Sequence, residues 1–151
     1  MGQYHKLINI TKKEFVSGWD TGMMAKHYEQ MGFQGSMADI LYCLMIAQGN
    51  EKRGGGDTDG HDFIGRWAGD DIAVVGDYYT ENSDYWKYRD LYDKVEKDEN
   101  YTNISSSIRS MLKAVYPELT FKKEWYVTVN EKGEQENTFY WDRTWKKEKV
   151  A

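Results

Sequence analysis

The sequence predicts an α+β domain, with about three helices packed on a mostly antiparallel sheet and a β-hairpin at the C-terminus. Two observations carry that class. Apolar residues recur three and four positions apart in three separated segments, near 36–48, 84–97 and 104–116, as the buried face of a helix requires. Elsewhere they alternate with polar residues at the spacing of half-buried strands, most plainly at Leu119, Phe121, Trp125, Val127 and Val129 and again at Phe139, Trp141 and Trp145. A length of 151 residues fits a single domain, 1–151, with enough chain to bury a core, and no internal repeat or linker divides it.

Each element has its own justification. Residues 3–16 read as an extended start, in which Tyr4, Leu7, Ile8, Ile10, Phe15 and Val16 are broken by a turn-like Thr11-Lys12-Lys13. Gly18, Gly22, Gly32 and Gly35 frame Met23 to Tyr28, predicting one short helix between turns. Ser36 suits an N-cap and Asp39 places negative charge in the first turn, where the helix dipole favours it. Met37, Ile40, Leu41, Leu44 and Met45 then mark one core-facing stripe running to about Gln48. Residues 49–62 contain no apolar side chain and are expected to be loop. Phe63 to Trp67 and Ile72 to Tyr79 read as a hairpin turning at Ala68-Gly69-Asp70-Asp71. Tyr85, Tyr88, Tyr92 and Val95 share a helical face, as do Ile108, Met111, Leu112 and Val115 ahead of Pro117, which ends that helix. In the terminal hairpin, residues 130–135 supply the turn.

Composition excludes several function classes. A net charge of −5 and a pI near 5.2 argue against general nucleic-acid binding, which calls for a basic excess. Lys12-Lys13, Lys122-Lys123 and Lys146-Lys147 then read as solvated ends and edges. The single Cys43 cannot close an intramolecular disulfide, and no Cys and His spacing suits zinc. The N-terminus lacks a signal-peptide pattern and no stretch approaches a membrane span, so the expected location is cytoplasmic, in the host cell if the chain is phage-encoded, with no membrane partner. Tyr, Trp and Phe number 12, 6 and 5, so much of the core is aromatic, with polar ring tips at its rim or lining a groove.

The candidate ligand site lies where glycines cluster. In Arg53-Gly54-Gly55-Gly56-Asp57, side-chain-free backbone can turn its amides toward an anion, with Arg53 as a bidentate partner, or can simply form a surface loop. In the Gly65 to Asp70 run, Trp67 offers a stacking platform beside Arg66 as anion clamp, or a packed hairpin residue. Asp70, Asp77 and Tyr78 complete the candidate ligand-binding set. Asp57, Asp59, His61 and Asp62 fail the EF-hand pattern, because Asp62 and Ala68 occupy the sixth and twelfth positions; no metal or other cofactor is expected. No catalytic residue is assigned: the three histidines lie in different segments, and Cys43 falls on the core helix.

Taken together, Met1-Gly2-Gln3-Tyr4, Asn9, Lys12 to Glu14, the Arg53 to Asp57 run, Gly65-Arg66-Trp67-Ala68-Gly69-Asp70, Val75 to Tyr78, Leu91-Tyr92 and Tyr101 to Ser105 give the chain a family look. It resembles a family of small uncharacterised bacterial and bacteriophage proteins, over residues 1 to about 112. The family-like region is set at 1–117, leaving 118–151 as the hairpin, which departs from the pattern, as does the longer spacing of Gly22 to Lys26. The resemblance implies a phage or prophage accessory role: a non-enzymatic protein that binds a host component, including inhibition of a host defence system. The alternative is binding, sequestering or turnover of a phosphate-bearing small molecule or nucleotide through the 53–57 and 65–70 segments. A third reading makes the exposed aromatics a homo-oligomer interface.

Overall fold

The computed structural model of the chain describes residues 3–23, 26–48, 54, 58, 60–80 and 90–146. Among them run β1 (His5–Asn9), β2 (Glu14–Ser17), α1 (Met37–Met45), β3 (Ile72–Gly76), α2 (Leu91–Lys97), β4 (Thr102–Asn103), α3 (Ser105–Val115), β5 (Leu119–Val129) and β6 (Gln135–Trp145). Two 3-10 turns, Trp19–Thr21 and His27–Gln30, stand where one short helix was expected. Met24 and Ala25 between them lie outside the described residues.

The expected extended start is a hairpin of β1 and β2, with Leu7 opposite Val16 and Ile8 opposite Phe15, and Lys13 takes a left-handed φ of 56° to close its turn. β3 pairs antiparallel on the other side of β1 and β4 adds two parallel residues to β2, giving the order β3-β1-β2-β4. Because side chains alternate across a strand, Leu7 and Val16 face one side while Ile8, Phe15 and Val75 face the other. On the first side lie α1 and α3, whose Met37, Ile40, Leu44, Ile108, Met111 and Leu112 are fully buried with Trp67. On the second lies α2, through Val95, Leu91 and Tyr92. Helices on both faces explain why all four residues of β2 are buried.

Local chemistry sets each helix end. The Ser36 hydroxyl accepts from the Asp39 amide at 3.2 Å, the expected N-cap. α3 starts on Asn103, whose Oδ1 accepts from the Ser105 amide at 3.1 Å and the Ser105 hydroxyl at 2.6 Å, and it ends just before Pro117. For α2 only the second half of the expected helix is described, since residues 84–89, with Tyr85 and Tyr88, lie outside the described residues. Lys6, buried beside α2, donates to the Tyr92 carbonyl at 2.6 Å, pairs with Glu96 at 3.0 Å and lies 3.9 Å from the Tyr92 ring centroid, so its charge is satisfied in place.

The expected C-terminal hairpin forms, paired from Leu119 opposite Trp145 to Val129 opposite Gln135, with Gln135 already in the strand. Gly133 takes φ 79° in its turn, and Asn130 Oδ1 accepts from the Lys132 and Glu134 amides. Leu119 anchors the root in the core and the Arg109 guanidinium lies 4.1 Å over the Trp141 ring. Toward the tip the same apolar face continues past the core, leaving Trp125, Val127 and Val129 exposed.

Candidate functional site

The Gly65 to Asp70 block folds as overlapping turns, with amides donating three residues back from Ile64 to His61, Arg66 to Phe63, Ala68 to Gly65 and Asp70 to Trp67. The hairpin expected from Phe63 to Tyr79 is therefore corrected: its second half is β3, paired with β1, and its first half is not a strand. The cause lies at the end of α1. Gly65 N–H donates to the Cys43 carbonyl and Trp67 N–H to the Leu44 carbonyl, both at 2.8 Å, so amides that a hairpin would use satisfy orphan helix carbonyls instead. With those carbonyls taken, α1 stops at Met45, short of Gln48. Gly65 is required here, since it holds φ +79° and a Cβ would sit 2.8 Å from the Ile46 carbonyl oxygen. Gly65→Ala is expected to cost about 2 to 4 kcal/mol, combining left-handed strain with that clash, as read by urea unfolding.

From this clamp, side chains reach the β1–β2 hairpin. Buried Glu14 accepts from Arg66 Nε at 3.0 Å and Nη2 at 2.6 Å, and from Trp67 Nε1 at 3.0 Å. Asp70 accepts from Asn9 Nδ2 at 2.9 Å and from Lys12 Nζ, while Asn9 Oδ1 accepts from the Lys12 amide at 2.8 Å. Asn9, Lys12 and Glu14 on one side and Arg66, Trp67 and Asp70 on the other are two halves of one interlock. It ties two sequence-distant segments together through charge-assisted bonds.

Burial alone would raise the Glu14 pKa, but the hydrogen bonds from Arg66 and Trp67, with the nearby positive charges, outweigh it and hold the carboxyl below its usual 4.5. Lys12 and Asn9 likewise lower that of Asp70. A depressed folded pKa adds stability that is fully present above the unfolded value and is lost as pH falls through the folded one. Acid titration of the melting temperature should show a loss setting in below about pH 4.5 that Glu14→Gln removes in part. An unchanged acid limb in that variant would contradict this assignment.

The interlock decides what several candidate ligand residues do. Trp67 is 0% exposed, so it is a core ring rather than a stacking platform. Arg66 spends its fork on Glu14 and packs 4.6 Å over Phe63, which gives its guanidinium a structural partner in place of a ligand anion. Asp70 is held by Asn9 and Lys12. Asp77 closes the end of the β1–β3 ladder, its carboxylate accepting from the Tyr4 amide at 3.0 Å and its own amide donating to the Tyr4 carbonyl at 2.9 Å; Tyr78 beside it is exposed. Gly54 has φ 115°, whereas Arg53, Gly55, Gly56 and Asp57 lie outside the described residues. Both ring nitrogens of His61 are used, Nε2 on the Ser110 hydroxyl and Nδ1 by the Phe63 amide, each at 3.1 Å. Among the described residues no three His, Cys, Asp or Glu side chains gather to hold a metal ion. The Cys43 thiol is pushed up to about 11 by burial and by Asp39, so it stays protonated at neutral pH.

A surface shaped for binding lies elsewhere, between α1 and β3. Two adjoining hollows of about 220 and 460 Å³ share Ala38, Leu41 and Val74; His5, Leu7 and Met37 floor one, and Tyr42, Met45 and Ile72 wall the other. β3 is the edge of its sheet. Bonds from the Asp77 amide to the Tyr4 carbonyl and from the Ile10 amide to the Asp71 carbonyl fix which residues face β1. By alternation Ala73 and Val75 share that side, so the amides and carbonyls of Ile72 and Val74 point outward, along the groove. Val74 is 49% exposed and Tyr42 65%. The sequence marked Leu41 and Met45 only as core, although Tyr42 next to them broke the stripe with an exposed ring.

Among the described residues no helix is long and apolar enough to cross a membrane. No family model, curated protein or solved structure matches the chain.

Proposed function

We propose that this chain is a non-enzymatic binding protein of phage or prophage type, which recognises an extended segment of a host protein that adds as a strand to β3 in the α1–β3 groove. The observation that carries this reading is a sheet edge with outward backbone groups lying directly beside a continuous apolar groove. That is the arrangement in which main-chain bonds supply affinity and alternate side chains enter pockets. The chain carries a net −5, so the complementary segment has apolar residues at alternate positions flanked by Lys or Arg. The resemblance to small phage and bacterial proteins supports a host protein as the target, and covering a surface is enough to inhibit a host defence component. The alternative, a phosphate-bearing small molecule held by the 53–57 and 65–70 segments, loses Arg66, Trp67 and Asp70 to the interlock and rests on residues 53–57.

Val74→Pro tests the reading directly. Proline removes the outward N–H of an edge residue while leaving the β1 ladder intact, so the fold should survive. Linear peptides selected from a random displayed library against the wild-type protein should show alternating apolar residues with basic flanks. They should lose about tenfold in affinity for the variant, the worth of one main-chain hydrogen bond and its packing. Selected peptides that bind the variant as tightly as wild type, at equal melting temperatures, would overturn the proposal.

A further inference from the structure

A second cavity lies on the far side of α1's N-terminus, between the 3-10 turn His27–Gln30 and the root of β6. It is open to solvent and measures about 530 Å³, within the roughly 300–1,000 Å³ of small-molecule sites. Its base holds Arg143, whose side chain runs through a slot made by two glycines. A Cβ at Gly22 would lie 3.1 Å from the Arg143 Cβ and Cγ, and one at Gly35 would lie 2.8 Å from Nη1. Both glycines hold a positive φ, and a side chain at either would crowd Arg143.

Arg143 is under-partnered. Nη1 donates to the Gly35 carbonyl at 2.5 Å and Nη2 touches the Met23 sulfur, a weak acceptor, with no carboxylate hydrogen-bonded to the guanidinium among the described residues. Asp39, the carboxylate whose charge acts on Arg143, is itself taken by the Gly35 amide at 2.7 Å and the Tyr116 hydroxyl. Burial lowers the Arg143 pKa, the mark of a guanidinium that has lost water without a full counter-charge. Gln30 lines the same cavity, and its Oε1 is buried with no hydrogen-bond partner among the described residues. Phe33, 64% exposed, and Trp145, 43% exposed, present apolar rings at the mouth.

We infer that this cavity binds a small molecule joining an anionic group to a planar ring that bears an N–H donor, of nucleoside-monophosphate size. The anion meets Arg143 and the ring stacks on Phe33 or Trp145 while its N–H satisfies Gln30 Oε1. The site is separate from the α1–β3 groove and shares no residue with the 53–57 and 65–70 segments.

The probes are the four common nucleoside 5′-monophosphates, the corresponding free nucleosides and inorganic phosphate, titrated into isotope-labelled protein and followed by amide and indole NMR shifts. At least one monophosphate is expected to shift Gly22, Gly35 and the Trp145 indole with a Kd below about 1 mM, with the nucleoside and phosphate each about tenfold weaker. Arg143→Met should weaken it about tenfold or more; if that variant unfolds, the exposed Phe33→Ala and the comparison with phosphate decide. No shift at these residues, inorganic phosphate matching the monophosphate, or wild-type affinity in Phe33→Ala together with folded Arg143→Met would overturn the inference.

Discussion

Trp67→Ala should lower the stability of this domain by about 3 to 5 kcal/mol, the largest effect expected of any single truncation among the described residues. The ring is 0% exposed and packs between α1, α3 and the sheet, so its loss leaves a cavity that the surrounding helices cannot fill without moving. Its indole N–H also reaches Glu14 at 3.0 Å. Trp67→Phe keeps most of the bulk and should cost about 1 to 2 kcal/mol, separating the lost bond from the lost volume. Against a typical stability of about 5 to 15 kcal/mol, the alanine variant would be partly unfolded at 37 °C, as circular dichroism melts would show. Melting within a degree or two of wild type would mean that Trp67 is not the core residue described.

Arg66→Ala should cost about 2 to 4 kcal/mol, although the side chain is partly exposed, because it strands Glu14 in the interior with the Trp67 N–H as its remaining strong donor. Its pH dependence should also weaken. Without Arg66, the hydrogen bonds and charge that do most to lower the Glu14 pKa are gone, so the carboxyl moves back toward its unfolded value and the variant loses less stability as pH falls through the carboxyl range. Wild type loses stability over the same range. Adding Glu14→Gln to Arg66→Ala should recover part of the cost by removing the stranded charge. Simple additivity of the two changes would contradict the pairing.

Much of the fold was legible because it rests on local periodicity. The Ser36 cap, the α1 stripe, the Pro117 stop and the alternation across both arms of the terminal hairpin are consequences of short-range sterics and hydrogen bonding, and each stands where the pattern predicts. The Phe63 to Tyr79 hairpin failed for the opposite reason. Whether the amides of Gly65 and Trp67 join a ladder or cap α1 is settled by helix carbonyls some twenty residues away, which no local pattern displays. The same non-locality hid the role of the most distinctive block. Glycine cost signals that a backbone is constrained, but it does not distinguish a ligand cradle from a close approach to the chain's own carbonyl at Ile46. Arg66 and Trp67 were read toward a ligand because their partner, Glu14, lies fifty-two and fifty-three residues away. The α1–β3 groove was invisible for a further reason: an edge is a property of strand order, and strand order is set by which segments find β1.

Amide hydrogen exchange across β3 is the most direct test of the claim that this edge is free to take a partner strand. In the isolated protein Ala73 and Val75 should be protected by their bonds to β1, while Ile72 and Val74 exchange orders of magnitude faster. Addition of a selected peptide should slow Ile72 and Val74 selectively and leave Ala73 and Val75 unchanged. Uniform protection along β3 without peptide, or peptide binding that leaves Ile72 and Val74 exchanging as before, would contradict the account.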